Sequence, residues 1–263
     1  MQILYRHNGV DVTDKDLLHT LRQVGIQDGD TIFVHSDIKM FGKIALTDKT
    51  MLLHSLVETL KRSVGTDGTV VMPTFTFSFC KNEPFDVNHT RSTVGSLTDF
   101  FRTESGVRRS VHPIFSVAAW GAHADEFMRI SKDSFGDGTA FETLRRLGGK
   151  LVLLGTQFDT CSFLHHLEQI HQVPYRYFKT FDGTIIDGEL QYHDAYTFFV
   201  RNLDGSGEND FQVVEPLLRS KGLLHEALLG GGRIMSVSAQ PLYAVGMRLL
   251  DTDPLGFTTR RTI

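Results

Sequence analysis

The stretch Lys150-Leu-Val-Leu-Leu-Gly155, followed directly by Thr156-Gln-Phe-Asp-Thr-Cys-Ser-Phe-Leu-His-His-Leu-Glu168, decides the fold class. Its aliphatic run reads as a strand buried on both faces and is ended by a glycine. The residues after it read as a helix that continues into Gln169-Ile-His-Gln-Val-Pro-Tyr-Arg176. Ser162, His165 and Glu168 recur every three residues, so they share one helical face. A carboxylate one turn from an imidazole holds its tautomer and raises its basicity, which makes the pair a candidate proton-abstracting dyad.

The same rhythm runs upstream. Leu17, Leu18, Leu21 and Val24 have helical spacing behind Thr13 as N-cap, and Thr31-Ile-Phe-Val-His35 is a short buried strand. Leu52, Leu53, Leu56, Val57 and Leu60 mark a second amphipathic helix over 48–63, and Thr69-Val-Val-Met72 is the next strand. This alternation predicts an α/β fold, a three-layer αβα arrangement around a central mixed sheet. Helices are expected near 123–130 and 140–147, the second with a capping box from Thr139 and Glu142. Beyond Pro174, residues 176–200 read as an antiparallel extension turning at Asp182-Gly183, and 212–220 and 223–229 read as helices. A last strand from Arg233 and a closing helix over 241–250 complete the chain. With no repeat or linker, residues 1–263 are expected to form one domain.

Composition narrows the function classes. Apolar residues make up 41% and charged residues 22% of the 263, as in ordinary globular proteins. The net charge of −4 gives no electrostatic case for nucleic acid or an anionic membrane. No apolar run approaches the ~18–20 residues of a spanning helix. The N-terminus lacks the apolar region of a secretory signal, and two cysteines, Cys80 and Cys161, make no disulfide framework, so a cytoplasmic location is expected. Twelve scattered histidines without HExxH predict no metal site.

Two segments have open readings. The long loop 73–95 delivers Ser92, Thr93, Gly95 and Ser96 to the start of a helix near 97–103, where Ser96 is either a plain N-cap or part of a phosphate site. Arg108-Arg-Ser-Val-His-Pro113, before the strand Phe115–Trp120, is either an anion cradle or a solvated turn.

Taken in order, the separated motifs resemble the antibiotic N-acetyltransferase family, best known for aminoglycoside 3-N-acetyltransferases. The matching pieces are Val34-His-Ser36 with Gly42, Gly68-Thr-Val-Val-Met-Pro-Thr-Phe-Thr76, Pro84-Phe-Asp86 with Thr90, and Ser92 to Gly95. They continue through Phe101-Arg102, Arg109-Ser-Val-His-Pro113 with Ser116, Leu153-Leu-Gly155, Ser162-Phe-Leu-His165 with Glu168, and Val173-Pro-Tyr-Arg176. The resemblance implies acyl transfer from acyl-CoA to a sugar amine, with coenzyme A as co-substrate. By the family's pattern His165 and Glu168 fall beside the acceptor amine, and Ser36, Thr74, Ser92, Gly95, Arg109, Ser110 and His112 fall toward CoA. Arg91 replaces the proline usual before Ser92, adding a cation there, and Ser162 replaces the usual threonine.

An ammonium must lose a proton before it attacks a thioester, and a neutral imidazole suits that task. The expected mechanism is direct transfer with His165 as base and Glu168 as its orienter, His166 being structural. Cys161 leaves a covalent acyl-cysteine route open beside the commoner fate of a buried thiol. For the acceptor, Tyr175, Arg176, Tyr177 and Lys179 suggest stacking and a pyrophosphate partner, with Ser162 nearby. They favour a dTDP-linked 3-amino-3,6-dideoxyhexose destined for surface polysaccharide, taking acetyl or 3-hydroxybutyryl. The alternatives are an aminoglycoside acceptor, or hairpin-core aromatics with solvated cations, or a CoA-binding protein without turnover. Homodimers are common among such chains, though no feature of this sequence specifies one.

Overall fold

Helices and strands of the expected alternation close around one seven-stranded sheet in the computed structural model, which describes residues 1–260. The chain runs β1 (Ile3–His7), β2 (Val10–Thr13), α1 (Asp14–Gln23), β3 (Thr31–Ser36), β4 (Lys43–Ile44), α2 (Lys49–Val64) and β5 (Thr69–Pro73). It continues through β6 (Phe85–Asp86), α3 (Ser96–Phe101), β7 (Arg108–Arg109), β8 (Val117–Gly121), α4 (Ala140–Arg146), β9 (Lys150–Leu154) and α5 (Phe163–His171). The last third is β10 (Arg176–Asp187), β11 (Leu190–Arg201), α6 (Val214–Ser220), β12 (His225–Leu229), β13 (Gly232–Ser238) and α7 (Ala239–Thr252).

The large sheet has the order β12-β13-β9-β3-β5-β8-β7. Its centre is parallel, with β3 paired to both β9 and β5, and its flanks are antiparallel. Alternation along β3 divides two cores. Ile32 and Val34 pack with α1, α2 and α3, whereas Phe33 packs with α4, α5 and α7. His35, two residues beyond Phe33, therefore projects toward the α5 layer. Thr13 caps α1 in a reciprocal capping box with Asp16, a contact worth about 1 kcal/mol.

Several local expectations change. Thr139 does precede α4, but its hydroxyl caps no N–H, and Glu142 instead accepts from Gly138 N at 2.7 Å. Residues 124–127 make a single 3₁₀ turn rather than a helix. Asp182-Gly183 is not the hairpin turn: β10 runs straight through it, and the chain reverses at Gly188, whose φ is +62°. Gly183 serves packing, since a Cβ there would lie 2.8 Å from the Phe79 ring. The expected helix over 223–229 is β12, which pairs antiparallel with β13 across Gly230 and Gly231. The β10–β11 ribbon joins β6 in a separate sheet, and its Phe198 ring packs against Phe115 and Phe135 at centroid distances of 4.9 and 5.6 Å.

Candidate active site

In an open α/β sheet, ligands bind beyond the carboxyl ends of the parallel strands. Here β3 ends at His35 and Ser36, β5 ends at Pro73, and β9 leads into the turn before α5. Together with Phe75, Phe77, Val94, Thr98, Phe115, Asp159, Thr160, Ser162 and His165, those residues line a cleft of about 290 Å³.

His165 is fixed on every side but one. Its ring lies between Phe135 and Phe211, at centroid distances of 5.0 and 4.9 Å. His166, on the far face of α5, donates from Nδ1 to the Phe135 carbonyl at 2.5 Å and so holds that ring in place. Nδ1 of His165 is 2.6 Å from Oε2 of Glu168, which is fully buried. Arg176 Nη2 is 3.2 Å from the same ring nitrogen. One nitrogen cannot both donate and accept, and an ionised carboxylate only accepts. The network therefore puts the proton on Nδ1, toward Glu168, with the guanidinium as a neighbouring positive charge. Nε2 is left as the basic atom, on a side chain that keeps 22% exposure and lines the cleft.

Glu168 has its own supports. Gln172 ends α5 in the left-handed region at φ +58°, and Val173-Pro174 turns the chain back. The return brings Tyr175 OH to donate to Glu168 Oε1 at 2.9 Å and Arg176 Nε to within 2.9 Å of Oε2. Arg176 also donates to Phe199 O at 3.2 Å and to Asn209 Oδ1 at 3.0 Å. Burial alone raises the Glu168 pKa. The imidazole, the guanidinium and the Tyr175 hydroxyl outweigh that effect and hold the carboxyl below its usual range.

For His165, burial is the largest influence and lowers the pKa; Arg176 lowers it further, against the opposing pull of Glu168. The ring is therefore neutral at pH 7, the state a base needs. A depressed imidazole pKa means that the unfolded chain binds the extra proton first, so stability falls as pH drops below the free value of ~6.5. In an NMR titration the His165 Cε1–H signal, assigned by its loss in His165→Ala, is expected to turn below pH 6.5. A midpoint above 7 contradicts the electrostatic balance.

A family model described as aminoglycoside 3-N-acetyltransferase matches residues 33–251, which span the cleft, the dyad and the ribbon. The chain belongs to the aminoglycoside 3-N-acetyltransferase family. One relative, aminoglycoside N(3)-acetyltransferase IV of Salmonella sp, is 28% identical over 252 residues, covering 92% of this chain and 88% of its own. The crystal structure of the aminoglycoside acetyltransferase AAC(3)-IVa apoenzyme aligns with a TM-score of 0.78 at 26% identity, over 98% of this chain and 92% of that one. A structure of AAC-IIIb solved as a binary complex with CoASH shares the fold, with a TM-score of 0.79 at 24% identity over 94% and 98% of the two chains. The family is one of N-acetyltransferases, which move acetyl from acetyl-CoA to an amine.

Within this acetyltransferase fold the residues expected from sequence separate into those at the cleft and those behind its walls. Ser36, Ser162 and His165 line it. Ser92 and Gly95 flank Val94, a lining residue; the Ser92 hydroxyl bonds that of Thr98 at 3.0 Å, and Gly95, at φ +141°, is the N-cap position of α3 in place of Ser96. Arg109 does not line the cleft. Its guanidinium binds Thr74, Ser116 and the carbonyls of Thr74, Val87 and Thr90, tying the 73–95 loop to β8. Burial lowers its pKa to about 9. Thr74, Ser110 and His112 are buried. Ser110 Oγ accepts from Val117 N at 2.9 Å, and His112 Nδ1 accepts from Ile114 N and Phe115 N, which sets the cleft's Phe115 in place.

Tyr175 and Arg176 are likewise buried, and their polar groups meet Glu168 inside the protein. Tyr177 and Lys179 remain at the surface of β10, with Lys179 Nζ 4.7 Å from the centre of the Phe181 ring. Sequence reasoning missed Asp159, the aromatic wall of Phe75, Phe77 and Phe115, and His35. The signal for His35 was a histidine closing an otherwise apolar strand, inside the Val-His-Ser motif. Among the described residues the His and carboxylate trio with metal-ligand spacing is His54, Glu58 and Glu104, on the α2 side of the sheet and away from this cleft. No helix of the described residues is long and apolar enough to cross a membrane.

Proposed function

We propose that this chain transfers the acetyl group of acetyl-CoA to an amine of an aminoglycoside-type amino sugar, with His165 as general base and Glu168 as its orienter. The observation that carries the proposal is the 2.6 Å bond from His165 Nδ1 to Glu168, which leaves Nε2 as the proton acceptor on the cleft. The thioester supplies an activated acyl carbonyl when bound. Ser36, Val94 and Thr98 are the chain's groups suited to hold it at the cleft, and exposed Arg91, on the same loop and paired with Asp99 at 2.8 Å, adds a cation there for its phosphates. A direct route fits better than a covalent one. Cys161 is fully buried and its pKa is pushed up to about 12 by burial, so it offers almost no thiolate.

The acceptor reading rests on charge. Asp159 lines the cleft beside His165, and its carboxylate accepts from Phe211 N at 3.2 Å and Gln212 Nε2 at 2.9 Å. A fixed anion at the place where an ammonium must arrive favours a polycation. The nucleotide-linked amino sugar drew its support from four residues, two of which are committed to Glu168; the family membership also favours the aminoglycoside alternative. Thiol release from acetyl-CoA, and from 3-hydroxybutyryl-CoA, should be compared across aminoglycosides and dTDP-amino sugars. Turnover with an aminoglycoside at least tenfold above any dTDP-amino sugar is the expected result. The reverse order overturns the acceptor assignment and returns interest to Tyr177 and Lys179.

A further inference from the structure

One buried group in the cleft has no role in the dyad. His35, the penultimate residue of β3, is 4% exposed, and its Nε2 is enclosed without a hydrogen-bond partner. It lines the cleft together with Ser36, Ser162 and His165. An enclosed imidazole nitrogen without a partner is costly, and a catalytic role is one of the reasons such a group persists in a native structure. We propose that His35 is a second catalytic histidine, whose Nε2–H donates to the carbonyl oxygen of the bound thioester and to the oxyanion that forms there. The proposal rests on the reading of this cleft as the acetyl-transfer site.

Position and charge agree with that role. Strand alternation turns His35 to the α5 side, where His165 approaches closely enough to disfavour a second positive charge. Burial, and then His165, lower its pKa to about 3, so His35 is neutral at any working pH and cannot be a base or a cation in the reaction. A neutral imidazole still has one N–H to give, and neutral histidines serve as electrophiles in this way.

The ammonium first releases one proton to solvent; the neutral amine nitrogen then forms a bond to the acyl carbon as His165 Nε2 takes a second proton from it, and the carbonyl π pair moves onto the oxygen facing His35. That pair then reforms the double bond, the carbon–sulfur bond breaks, and the CoA sulfur leaves with the proton that His165 had taken. His35 ends as it began, neutral and protonated on one nitrogen.

The test uses His35→Phe, which keeps a ring against Phe33, 5.2 Å away in the native chain, and removes the donor. The variant is expected to melt no lower than the parent, since it removes an enclosed polar atom, while kcat falls about 10²–10³-fold, the range for losing one oxyanion donor. KM for acetyl-CoA is expected to change less than threefold. A readout independent of turnover is the infrared stretch of carbonyl-labelled acetyl-CoA bound without acceptor. The stretch should be lowered in the parent and return toward its solution value in His35→Phe; His35→Gln, which retains an N–H, should recover part of the shift. Unchanged kcat, or a carbonyl stretch that ignores the substitution, overturns the proposal. Full activity in His165→Ala instead removes the reading of the site itself, so the two failures are distinguishable.

Discussion

Arg176→Ala is expected to destabilise the protein by about 3–5 kcal/mol, the cost of leaving one member of a buried ion pair without its partner. The pair is enclosed: the side chains of Arg176 and Glu168 are 4% and 0% exposed. Removing the guanidinium leaves the Glu168 carboxylate with only Tyr175 and His165, and it also opens the contacts to Phe199 O and Asn209. The cheapest escape is for Glu168 to take up a proton. Its folded pKa then rises above the unfolded value of ~4.3, so the deficit should be largest at neutral and alkaline pH and shrink as pH falls. Urea unfolding of both proteins at pH 5 and pH 8 reads this out. A deficit under 1 kcal/mol at pH 8 contradicts the central place given to Arg176.

This pair also marks what the sequence could and could not reveal. The i, i+3 spacing of His165 and Glu168 was legible because a helix imposes it, and the 2.6 Å bond is its result. Arg176 was not legible. A cation near aromatic residues reads as a partner for a ligand's pyrophosphate until the burial of Glu168 is known, and that burial depends on the turn at Gln172 to Pro174. The structural contacts of Arg109, Ser110 and His112 were not legible for a related reason. Motif membership places them near the cofactor side, but their contacts hold the loop and Phe115 from behind.

The secondary structure shows the same division. The parallel strands and α1, α2 and α7 follow from apolar periodicity, since each buries the face its pattern marks. The segment Leu223–Leu229 has good helix formers, yet pairing with β13 makes it a strand, a tertiary override of weak local preference. Asp-Gly is the strongest short hairpin signal in the region, yet Gly183 is needed under the Phe79 ring while Gly188 supplies the positive φ.

The second large effect concerns His165 itself. A positioned general base contributes about 10²–10⁴-fold, and the other groups named at the cleft are poor substitutes: His35 cannot be charged, Cys161 is enclosed, and both Asp159 oxygens already accept from Phe211 N and Gln212 Nε2. His165→Ala leaves the ring's place between Phe135 and Phe211 vacant but keeps the Glu168–Arg176 pair, so the fold should survive. The decisive measurement is single-turnover release of CoA thiol, with acetyl-CoA bound and an aminoglycoside acceptor added, in the parent and in His165→Ala. The expected result is about a 10³-fold slower release in the variant, with acetyl-CoA binding changed less than threefold. Release at the parental rate from a folded His165→Ala protein would contradict the assignment of this histidine as the base.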